Sequence, residues 1–144
     1  MADTDLATIM GRFRAVLEAA PLSLVATADG FSHERQPTTL VSNTYYLDDA
    51  GLQGNRPVTN YKSVRVDRIR VYVALKVNDA PHTQKETLES TLLTIERYVK
   101  ADGPAHSYHA EIVGGRQITQ KKGSAVLIGS LTLSVDYDIN EATV

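Results

Sequence analysis

Asp136 and Asp138 lie two residues apart in the stretch GSLTLSVDYDIN, Gly129 to Asn140. Alternation along a strand places them on one face with Ser130, Thr132 and Ser134, while Leu131, Leu133, Val135, Tyr137 and Ile139 line the other. Carboxylates at i and i+2 stand about 6.6–7 Å apart along a strand, near enough to work as an acid and base pair or to share a cation. Catalysis further requires a concave pocket that drives their pKa values apart. The rest of that face offers only hydroxyls, with no nearby histidine or glycine-rich loop, so the residues point to a solvent or interface surface.

Other residues of chemical type are weaker still. His106 and His109 in HSYH could form a metal pair, but the third and fourth ligands of a zinc site are missing: there is no H-E-x-x-H and no cysteine. They are expected to be loop histidines, as is His33 beside Glu34. Ser124 and Ser130 each follow a glycine outside any G-x-S-x-G elbow. The glycines at 51, 54, 114 and 115 make no phosphate loop, so neither nucleotide nor other cofactor is implied, and no metal site. Arg65, Arg68 and Arg70 form a basic cluster interrupted by Asp67, which suits a salt-bridged strand surface.

The elements that must position these residues follow from periodicity. Leu6, Ile9, Met10, Phe13, Val16, Leu17 and Ala20 recur at helical spacing, with Asp3 and Thr4 as caps and Pro21 as the stop. From Pro21 to Lys62 the pattern weakens, and only about Thr38 to Leu47 has strand character. Spans this long with little periodicity are usually functional or disordered, so 21–62 is expected to be an extended, partner-binding arm carrying Tyr45, Tyr46, Leu47 and Arg56. In YKSVRVDRIRVYVALKV the apolar parity changes across Asp67–Arg68, which predicts a bulge or bend there. That bend leaves Arg65, Arg70, Tyr72 and Lys76 on a polar face.

Thr83 and Glu86 have capping-box spacing ahead of the stripe Leu88, Leu92, Ile95 and Val99, and Gly103-Pro104 ends that helix. Glu111 to Thr119 predicts a hairpin turning at Gly114-Gly115, and Gln120 to Ser124 a second turn. Ala125 to Ile139 is a long closing strand. The fold class is therefore α+β: a mainly antiparallel sheet with two helices packed on one face, plus the long arm, in a single domain over 1–144.

Composition narrows the function classes. Hydrophobic residues are 42% and charged residues 22% of 144, as in a globular protein that can bury a core. Fifteen Lys and Arg against 17 Asp and Glu leave a net charge of -2, with no global attraction to nucleic acid or anionic lipid. The absence of cysteine excludes thiol catalysis and disulfides. The N-terminus resembles neither a secretory signal nor a membrane span, so a soluble chain made in the cytosol is expected.

The segment TLESTLLTIERYVKADG, a short hairpin, and then SAVLIGSLTLSVDYDINEA resembles the C-terminal half of the tail terminator (tail completion) proteins of long-tailed phages and phage-like particles. In that family a helix of the form L-x-x-L-x-x-I/L precedes a hairpin and a closing strand ending in V/I-x-Y/F. Leu92, Ile95, Leu131, Leu133, Val135 and Tyr137 match it. The resemblance implies a structural virion protein, not an enzyme. It would form a homo-oligomeric ring, a hexamer in the family, at the head-proximal end of the tail tube. There it would stop tube polymerisation and dock the tail to the head connector, its lumen passing DNA without specific binding. Its partners would be the tube protein and the connector or stopper protein, and its location the host cytoplasm during assembly and then the virion neck. On this reading Asp136 and Asp138 face the lumen or a neighbouring subunit, and Arg65, Arg68 and Arg70 the subunit contact. A head-completion, stopper or adaptor ring of the neck is the alternative, and a small hydrolase using Asp136 and Asp138 the remote one.

Overall fold

A computed structural model describes residues 6–27, 30–33, 43–57, 62–76, 81–120 and 126–140. The order is α1 (Leu6–Glu18), β1 (Val25–Ala26), β2 (Thr44–Pro57), β3 (Lys62–Lys76), α2 (Pro81–Asp102), a 3-10 turn (Pro104–His106), β4 (Tyr108–Gln120) and β5 (Val126–Asn140). The five strands form one sheet in the order β1-β2-β3-β5-β4, antiparallel except for β1 against β2. Because β5 lies antiparallel between β3 and β4, those two run parallel. α2 bridges them across one face, and the α+β class is as the sequence predicts.

Both helices bury the stripes that their periodicity sets out. Ile9, Phe13 and Leu17 of α1 and Leu88, Leu92, Ile95 and Val99 of α2 have no exposed surface. They pack on Ile69, Val71, Val73 and Leu75 of β3 and on Leu127, Leu131, Leu133, Val135 and Tyr137 of β5, all odd-numbered and so on one sheet face. Gly129 shares that face because α2 presses on it: a Cβ there would lie 2.9–3.0 Å from Leu88 and Leu92 side-chain atoms. No helix among the described residues is long and apolar enough to cross a membrane.

Several expected boundaries move. α2 begins at Pro81, so Thr83 lies inside the helix with its carbonyl accepting from Thr87 Oγ1 at 3.0 Å. Proline suits a first helical turn, whose N–H groups have no helical partner in any case. Asp3 and Thr4 lie outside the described residues, as does the expected turn of Gln120 to Ser124 apart from Gln120, which ends β4. β3 pairs with β5 in unbroken register from Lys62 to Lys76, without the expected bulge at Asp67–Arg68. The irregularities sit on the partner strand instead, between Asp49 and Gly51 and between Leu52 and Gly54, opposite Val66–Ile69. No hairpin forms at Gly114-Gly115: β4 is one strand, bulged between Val113 and Gln117, with Gly114 alone at a positive φ of 71°.

Within the span of the expected arm, the described segment Thr44–Pro57 is a sheet strand. Thr44 to Pro57 pairs along β3, Tyr45 and Leu47 are buried in the main core, and Tyr46 packs against a smaller cluster on the other face. Its sequence hides this because glycines, Asp48, Asp49 and Pro57 break apolar alternation, while the pairing runs through backbone groups that need no such pattern. Residues 28–29, 34–42 and 58–61 of the span lie outside the described residues.

Candidate functional site

Register fixes what the outer sheet face presents. Along β5, Asp138, Asp136, Ser134, Thr132 and Ser130 stand opposite Val64, Val66, Arg68, Arg70 and Tyr72 of β3. On the flanks, β4 places His109 opposite Asp136 and Glu111 opposite Ser134, and β2 places Asp48 opposite Arg70. Arg68, Arg70, Asp136 and Asp138 therefore share one face. Arg65 does not: it lies on the helix side near buried Asp67, which accepts a hydrogen bond from the Tyr137 hydroxyl. Burial, then that bond and the Asp67 charge, push the Tyr137 hydroxyl well above its ordinary pKa. The parity change in β3 thus reflects a polar pair buried at the core margin, with Val64 and Val66 turned outward.

The charges on the outer face are sparsely compensated. Arg70 donates through Nε to Thr132 Oγ1 at 3.2 Å and through Nη1 to the Tyr72 hydroxyl at 3.3 Å. The Tyr72 bond raises the guanidinium pKa, burial opposes it, and Asp48 adds attraction. Arg68 Nε is buried with no hydrogen-bond partner among the described residues. Neither arginine, nor Asp136, nor Asp138 joins an ion pair among those residues.

At the end of this face Asp136 and Asp138 line a cleft of about 280 Å³ together with Val64, Ser107 and His109. A hydrolytic site would need this neighbourhood, but His109 Nε2 is engaged by Glu111 Oε1 at 2.9 Å and both side chains are more than half exposed. Among the described residues no three acids or histidines converge to hold a metal. His106, the other half of HSYH, belongs to a separate hub, so the two histidines do not act together.

That hub is Asp102, at the C-terminal end of α2, which sequence reasoning passed over. Arg12 of α1 reaches Asp102 Oδ1 through Nη2 at 2.8 Å and Oδ2 through Nε at 3.3 Å. The Tyr108 hydroxyl shares its proton between Oδ2 and the Val99 carbonyl, each at 3.0 Å, and His106 Nδ1 stands 3.3 Å from Oδ1. Burial disfavours the carboxylate, but the hydrogen bonds from Arg12 and Tyr108 outweigh it and hold Asp102 below its usual range. Phe13 packs at 5.6 Å between ring centroids on Tyr108. These contacts tie α1, α2 and β4 together.

The remaining expected site residues are scattered. Tyr45 has its hydroxyl pushed up to about 12 by burial and then by Glu18, as fits a core residue. Arg56 lies on β2, with its side chain outside the described part. His33 is more specific than its sequence suggests: Nδ1 lies 2.6 Å from Thr119 Oγ1 and Nε2 2.7 Å from Ser130 Oγ. Beside it Phe31 is buried among Tyr72, Ala74, Val126 and Ile128, so residues 30–33 cover one end of the outer face. No local pattern around FSHER could have shown this, since the partners, from Tyr46 to Ser130, all lie on distant strands of the sheet. No protein-family model matches the chain, and no curated protein matches it in sequence.

Proposed function

We propose that this chain is a non-enzymatic assembly protein: a ring-forming component of a phage-type neck, acting as a tail terminator between the tube protein and the head connector. The observation that supports it is the outer face, where Arg68 and Arg70 and the pair Asp136 and Asp138 stand without ion-pair partners among the described residues. Opposite charges on one rigid sheet suit a contact that is completed by another chain. The sheet also ends in two strands, β2 beyond Tyr45 and β4, with no further strand paired to their outer edges among the described residues. Different edges on one subunit are the material of a head-to-tail ring that closes. The bulges in both edges favour a defined neighbour over indiscriminate strand addition. The element order and the resemblance of 87–103 and 124–142 to tail terminators supply the particle context.

Charge reversal tests the face. Arg68→Glu with Arg70→Glu, or Asp136→Lys with Asp138→Lys, is expected to cut assembly with tube protein about tenfold or more, since like charges in a contact cost several kcal/mol. Mixing the two variants is expected to restore it; unchanged assembly in both would contradict the role of this face. The cleft holding Asp136, Asp138 and His109 favours one second reading, a small hydrolase. Asp136→Asn with Asp138→Asn separates the two: loss of turnover on an ester or phosphoester panel with assembly intact would favour the enzyme.

A further inference from the structure

We propose that residues 30–33 form an acid-sensitive clasp on the outer sheet face, in which protonation of His33 releases Phe31 and uncovers the apolar patch beneath it. The clasp has two parts. Phe31, 2% exposed, inserts among Tyr72, Ala74, Val126 and Ile128, with ring centroids 6.1 Å from Tyr72 and 6.2 Å from Tyr46. His33 then bolts the segment to two strands at once, with Thr119 of β4 on one ring nitrogen and Ser130 of β5 on the other. Its ring meets Tyr72 edge-on at 5.6 Å.

A neutral imidazole has one N–H and one lone pair, and the two hydroxyls supply one acceptor and one donor. On protonation both nitrogens become donors. The hydroxyls can rotate to accept, so the cost of the cation comes from its surroundings. Facing His33 are Arg70 and Tyr72 from β3, Thr119 from β4 and Ser130 from β5, with Tyr46 of β2 beyond Phe31. The described contacts include no carboxylate that could stabilise an imidazolium. Burial, and then the Arg70 charge, lower the His33 pKa below its ordinary 6.5. A lowered pKa means the clasp holds at full strength above about 6.5 and loses stability as the pH falls toward the folded-state value. The loss begins near the ordinary value of 6.5, above the range in which ordinary carboxylates titrate. Release bares Tyr72, Ala74, Val126 and Ile128 on the same face as Arg68, Arg70, Asp136 and Asp138.

Solution NMR on the full chain between pH 8 and 5 tests the clasp by following the His33 imidazole shifts and the Phe31–Tyr72 ring NOEs together. The expected result is a common midpoint below 6.5, with the NOEs lost on the acid side and retained throughout in His33→Gln. NOEs that persist after His33 has titrated, or that vanish in His33→Gln with the wild-type pH profile, would overturn the proposal. If His33→Gln lacks the NOEs even at pH 8, Arg70→Gln decides: removing its charge should move the common midpoint up toward 6.5, and an unmoved midpoint would overturn it. Neither outcome bears on ring formation, which is read separately by mass.

Discussion

Asp102 joins three elements through one carboxylate, which accepts from Arg12 on another helix and from Tyr108 on a strand. Replacing it with Asn leaves those donors with a weaker acceptor and is expected to cost about 1.5–3 kcal/mol, the range for hydrogen bonds to charged groups. Its lowered pKa makes the contribution present at pH 7 and lost as the pH falls below the ordinary carboxylate value of 3.8. Urea melts at pH 7 and pH 3 check this: the gap between wild type and Asp102→Asn should narrow at the lower pH. Asp136 and Asp138, by contrast, were placed correctly on one outward face by parity alone, since a strand of uninterrupted register preserves it. Arg65 was misplaced because a buried Asp67–Tyr137 pair looks, in sequence, like a polar outer face.

Elements with one-sided apolar periodicity were legible: both helices and the strands β3 and β5 lie where their patterns put them. β2 and β4 were not, and for a shared reason. Both are bulged, β4 at the sheet edge and β2 uncovered beyond Tyr45, and a bulge shifts the alternation that identifies a strand while leaving backbone pairing on either side. In β4 the glycines that suggested a turn supply one left-handed residue inside a continuous strand. Gly129 illustrates the reverse case, a glycine required by packing: Gly129→Ala drives a methyl into Leu88 and Leu92 and is expected to lower stability by about 1–3 kcal/mol, measured by thermal or urea melts. The fold should be kept, because α2 can shift by a few tenths of an ångström.

At the scale of the whole molecule, one sheet face is committed to the helices and the other divides into a clasped apolar end and an open charged end. The division was invisible in the sequence, since His33 and Phe31 meet β3, β4 and β5 only through the fold. What the sequence did convey was a sheet with one face covered by the helices and the other turned outward. The central claim is assembly into a ring. Native mass spectrometry of the purified chain, alone and after mixing with tail tube protein, tests it most directly. The expected result is a discrete closed oligomer, with the hexamer as the leading species, in at least one of the two samples. A strictly monomeric chain in both would contradict it.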